Sequence, residues 1–162
     1  MDLQLKIILK KKLPQTIFEL HRIDNSFTFA KIQPGMEFHE LGHWVVESVL
    51  ELENSFYGLI SQGFNIEDFE KPRDQRPVAL MPKNLSKESI FVEHYVNLLM
   101  TELNSGKNDQ FIEQLVEICS DKEITLPKSF SKQKVAIIRA QYVSKVQSWK
   151  KLPQGKEMEL AI

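Results

Sequence analysis

Residues 39 to 43 read His39-Glu40-Leu41-Gly42-His43. Two histidines at i and i+4 on a helix project from one face and can reach the same Zn²⁺, while the glutamate between them can polarise a water. This H-E-x-x-H spacing is the pattern of zinc peptidases, but the chemistry asks for more than five letters. A third ligand must arrive from downstream, and no further H-x-x-G-x-x-H follows. Glu47, Glu51, Glu53, Glu67 and Glu70 are at hand, yet Glu47 and Glu51 share the histidines' own helix and cannot wrap around an ion held by His39 and His43. Peptidases of this kind also bind substrate along a sheet edge, and the chain offers only the short SFTFAKI, residues 26 to 32. His39 stands four positions past Gly35, in the first helical turn. On these grounds HELGH reads as a chance match to the peptidase pattern. The bland alternative is that both histidines flank a helix with their polar ends in solvent, Glu40 being a favourable charge near the N-terminus.

Bulk properties narrow the functional classes. A chain of 162 residues fits one domain, 1–162, with a single substantial core. A hydrophobic share of 42% with 27% charged residues, six Gly and seven Pro is ordinary globular composition. The net charge of -1 provides no basic field for nucleic acid. No apolar run approaches the ~18 residues of a membrane span. In MDLQLKIILKKKLPQ the lysines follow the apolar run, the wrong order for a signal peptide, and one cysteine, Cys119, forms no internal disulfide. A cytoplasmic protein is the expectation.

The elements that would position the histidines read as helices. Residues 3 to 24 are ambiguous, with Leu3, Leu5 and Ile7 alternating like a strand and Ile8, Ile17, Phe18 and Leu20 suiting a helix; the expectation is helix, broken near Lys12 to Pro14. NSFTFAKIQ is extended connector, and Pro34-Gly35 a turn. From Met36 to about Ile60, Leu41, Val45, Val49, Leu52, Phe56 and Ile60 share one face of a helix that Gly63 ends. The Pro-containing stretch 68–84 is loop. Ser86 caps a helix to Leu103, a short helix spans Asp109 to Cys119, and the last runs from Ser131 to Leu152, closed by Pro153 and Gly155. The sum is an all-α antiparallel four-helix bundle with an additional short helix.

Pro34-Gly35-Met36-Glu37-Phe38, followed by Glu40-Leu41-Gly42-His43-Trp44-Val45-Val46-Glu47, resembles the second-helix region of the DinB/YfiT-like superfamily. There a turn leads into a helix carrying E-L-x-x-H-L-x-x-x-E, and the histidine binds a metal. The resemblance implies a helical bundle, a divalent ion (Zn, Ni, Fe or Mn, or none if the site is lost), and transfer of a low-molecular-weight thiol to an electrophile. His43 matches the family's second-helix ligand, with Glu47, His39 and His94 as companions. Complete members draw two more histidines from the last helix before R-G-Q. Here Arg139-Ala140-Gln141 matches that tail, and Lys134 and Ile138 occupy the ligand positions. A lysine and an isoleucine bind no divalent metal. The competing expectation is therefore a non-catalytic module that binds a small molecule or a partner protein, with homodimerisation open to either. His21 is a further candidate to converge on His43.

Overall fold

A computed structural model of the chain describes residues 4–162. It opens with three strands: β1 (Lys6–Lys10), β2 (Thr16–His21) and β3 (Phe27–Ile32). Six α-helices follow: α1 (Met36–Leu50), α2 (Phe56–Ser61), α3 (Ile66–Glu70), α4 (Lys87–Ser105), α5 (Phe111–Asp121) and α6 (Lys132–Lys151). The last strand, β4 (Glu157–Ala161), pairs with β1, so the antiparallel sheet runs β3-β2-β1-β4.

The fold is mixed α/β, which corrects the all-α four-helix bundle. The helical expectation for the first segment fails for a definable reason. Ile7 and Leu9 on β1 and Phe18 and Leu20 on β2 alternate with period two, and all four are buried in the core. Their register, Ile7 opposite Leu20 and Leu9 opposite Phe18, puts them on one face of the sheet. Ile8 and Ile17 point the other way, and they produced the false helical periodicity. Leu3 lies outside the described residues. SFTFAKI is a paired strand rather than a connector. The tail after Gly155 likewise extends, and Leu160 joins the core opposite Ile7.

The helix from Met36 stops at Leu50, ten residues early. Glu51 turns into the left-handed region (φ 55°), and Leu52 N–H returns to Glu47 O at 3.0 Å. The break lets α2 fold back beside α1. Only glycine fits at 58 in this return, since a Cβ there would stand 1.9 Å from Glu53 O. α3 was not expected and runs into the stretch read as loop, whereas α4, α5 and α6 match the expected spans closely, with Ser86 and Ser131 capping α4 and α6 through their hydroxyls. α1 packs against both α4 and α6, and helices and sheet share one continuous core. Among the described residues no helix is long and apolar enough to cross a membrane.

Candidate metal centre

α1 carries His39, Glu40, His43 and Glu47 on adjoining turns. At Gly42, between the histidines, α1 approaches α4 closely: a Cβ there would meet Val96 Cγ1 at 2.9 Å. This approach brings Glu93, three residues before Val96 on α4, up to the histidine pair. His43 Nε2 lies 3.2 Å from Glu93 Oε1, and His39 Nε2 lies 3.5 Å from Glu93 Oε2. The two rings are 4.7 Å apart between centroids. One ligand atom from each of His39, His43 and Glu93 falls within 4.8 Å of the other two.

The far side of each ring also faces a carboxylate. His43 Nδ1 donates to Glu47 Oε1 at 2.9 Å, and Glu47 Oε2 accepts Tyr57 N–H at 2.9 Å, with Glu47 fully buried. His39 Nδ1 stands 3.5 Å from Glu40 Oε1, without hydrogen-bond geometry. Tyr57 O–H donates to Glu40 O, and Tyr142 O–H donates to Phe38 O, so α2 and α6 both hold the histidine-bearing turn.

These contacts set the charges. Burial alone would lower the His43 pKa, but the hydrogen bonds to Glu47 and Glu93, and the charges of both, push it up to about 10. Burial likewise opposes the charge on His39, and Glu40 with Glu93 outweighs it and raises that group. Burial would raise Glu93; the two histidines instead hold it well below the usual carboxylate range. Tyr57, buried against Glu40 and Glu47, is pushed far up and stays neutral.

The donor set also suits a divalent ion. Bonds of about 2.0–2.1 Å in tetrahedral array place ligand atoms about 3.4 Å apart. The two N···O distances already match that spacing, and separations bounded by 4.8 Å need a closure of at most about 1.4 Å. Two imidazoles plus one carboxylate, with an acceptor fixing Nδ1 of a ligand histidine, is the pattern by which proteins orient metal ligands. Glu93 is the exposed member, its side chain 53% accessible. It borders an apolar cleft of about 180 Å³ formed with His43, Phe56, Phe69, Leu85, Ser89 and Ile90.

The residues singled out from the sequence separate here. His39 and His43 belong to the cluster. Glu47 touches the opposite nitrogen of His43 from the one that faces Glu93, so it orients and does not ligate. His94 is outside the cluster; partial burial and the nearby Lys122 lower its pKa, which places it toward α5. His21 sits on β2, bonded to Glu19 and stacked on Phe27. α6 contributes no ligand, with Ile138 in the core and Arg139 paired to Glu102. Glu93 was missed by the sequence reading, whose candidates for a third acid ended at Glu70.

Comparison with family models, curated proteins and solved structures returned no match. The resemblance to the DinB/YfiT-like superfamily rests on the quoted motif alone.

A pH dependence with two opposite signs follows. In the metal-free chain the raised His43 and His39 contribute stability that is complete below their ordinary value of 6.5 and is lost as pH rises, for His43 through about 10. The depressed Glu93 contributes stability that is present above 4.5 and lost as pH falls. The urea midpoint without metal should thus decline from about pH 7 to 10. Zinc must displace the ring protons, so the stability added by zinc should rise over the same interval. Equal slopes with and without zinc would contradict the site.

Proposed function

We propose that the chain is a divalent-metal hydrolase acting on peptide bonds, with His39, His43 and Glu93 as ligands. The observation that carries this reading is the convergence of both Nε2 atoms of an H-E-x-x-H helix on one carboxylate from another helix. Bound there, a divalent ion would act as a Lewis acid toward a carbonyl and make a water more acidic.

The chain's own residues support the remaining roles. Glu40 opens into a second cleft of about 420 Å³, bordered by Lys31, Ile32 and Gln33 of the β3 end, Met36, Phe56 and Phe69. Among the described residues β3 pairs on one side only, with β2, and leaves an edge that an extended peptide can join by main-chain hydrogen bonds. The two features that the five-letter pattern lacked, a third ligand and a sheet edge, are thus both near the motif. Phe56 and Phe69 border both clefts and stand between the edge-strand side and the histidine side. Thiol transfer, which the DinB/YfiT resemblance implies, was tied to a bundle that this fold replaces.

The test is cleavage of an unfolded protein such as casein, and of a mixed peptide library, by zinc-loaded protein. Chelator-sensitive cleavage is expected, and Glu93→Ala, which removes one of the three ligands, should lose the cleavage together with the zinc. Absence of cleavage by zinc-loaded protein sinks the reading. Zinc-dependent consumption of a thiol with an electrophile would replace it with thiol transfer.

A further inference from the structure

We infer that the substrate presents one apolar side chain, of phenyl or branched-aliphatic size, to the cleft of Phe56, Phe69, Leu85 and Ile90 beside His43; this rests on the hydrolase reading above. The cleft's volume, about 180 Å³, is close to that of an apolar protein cavity of roughly 150 Å³ that stays dry and binds benzene. It is too small for a drug-sized ligand, whose sites begin near 300 Å³.

Its chemistry selects as firmly as its size. The one hydroxyl in the wall, Ser89 Oγ, is already committed to Asn54 O at 2.9 Å. The other polar groups are His43 and Glu93, which are occupied with each other. An indole or phenol would bring a donor into an apolar wall that offers it no dedicated acceptor, at a cost of about 1–3 kcal/mol for the unpaired group. A phenyl or isobutyl group makes no such demand.

The walls are also fixed in place. Phe56 packs edge-on against His43 with centroids 5.8 Å apart, and it contacts Phe69 at 5.0 Å and Tyr57 at 5.2 Å. A side chain seated here would lie against a ligand imidazole, so the bond next to it would be the one brought to the metal side. The inference thus concerns which peptide bond is chosen as well as what binds.

The probes are 3-phenylpropanohydroxamate and acetohydroxamate, titrated calorimetrically into zinc-loaded protein. They share the chelating head and differ in the group offered to the cleft. The phenyl compound should bind at least about 10-fold more tightly, the lower end of what even one methylene contributes in an apolar pocket. Ile90→Trp, which fills the cleft, should abolish the preference and leave acetohydroxamate binding unchanged. Should that variant fail to fold, Phe69→Ala enlarges the cleft and should shift preference toward a naphthyl analogue. Equal affinity of the two probes in the parent protein, or a preference unmoved in the folded variants, overturns the inference.

A metal-independent arm separates the two levels. In metal-free protein, 3-phenylpropanamide should shift the methyl resonances of Leu85 and Ile90. If zinc or both hydroxamates fail to bind, the hydrolase reading falls, and these resonances alone decide the cleft: shifts there uphold its apolar selectivity, and shifts elsewhere or none refute it.

Discussion

His43→Ala and Glu93→Ala should each lower zinc affinity by well over the 10–100-fold that loss of a supporting residue costs. Each removes a donor from a set of three, and His43 is the donor held most tightly. It is 3% exposed, with both ring nitrogens engaged and Phe56 against its edge. The two variants should differ in the metal-free state. Glu93→Ala deletes a half-exposed carboxylate and leaves two cationic rings 4.7 Å apart, so His39 should become easier to deprotonate. His43→Ala opens a cavity beside Glu47 and leaves that buried carboxylate without its cation. Competition titration against a chromogenic chelator reads the affinity, and urea unfolding reads the metal-free cost. A zinc affinity unchanged in either variant would show that the ion, if bound, sits elsewhere.

Glu47→Leu should be the most costly change to folding. Glu47 is fully buried and accepts both His43 Nδ1–H and Tyr57 N–H at 2.9 Å. Leucine fills the volume but orphans a buried cation on one side and a buried amide on the other. Breaking a buried pair by removing one partner costs about 3–5 kcal/mol. At the ~2–4 °C per kcal/mol expected for a chain of this size, the metal-free melting temperature should fall by roughly 6–20 °C. Glu47→Gln retains an acceptor for the Tyr57 amide and should cost less. The folded fraction of Glu47→Gln should bind zinc about 10–100-fold more weakly, because Nδ1 of His43 loses its anionic partner. A leucine variant as stable as the parent would mean that the carboxylate does not carry the turn between α1 and α2.

The helical half of the molecule was legible because its signals are local. Ser86 and Ser131 each accept the amide of the third residue of the following helix, and Gly106 ends α4 where the Asn-Ser-Gly run predicts. The apolar spacing of α6 survives as its buried stripe Val135, Ile138, Tyr142, Val146 and Trp149. The strands were lost because their evidence is non-local. β1 pairs with its neighbour β2 but is completed by β4, whose Leu160 lies more than 150 positions away in the sequence, and Ile8 is buried on the outer face as well, which masks the alternation. The break at Glu51 was invisible because Leu52, Phe56 and Ile60 stay in helical phase across it.

The candidate site divides in the same way. His39 and His43 announce themselves by a spacing of four. Glu93 does not, since nothing in its neighbourhood marks it apart from other acids on helix surfaces. What selects it is the packing of Val96 against Gly42, a contact between two helices separated by the whole Pro-containing connector. Glu47 enters as a companion ligand only through the DinB/YfiT resemblance, and only the orientation of the ring distinguishes an orienting carboxylate from a coordinating one.

The most direct test of the metal centre is zinc K-edge absorption on loaded, dialysed protein, with elemental analysis of the same sample, beside Glu93→Ala. The geometry predicts about one zinc per chain, with a spectrum of two imidazoles and oxygen donors at about 2.0–2.1 Å, and loss of the ion on dialysis in the variant. A protein that retains no zinc after loading, or a zinc retained equally in Glu93→Ala, would contradict it and leave His39, His43 and Glu93 as an ion-pair cluster joining α1 to α4.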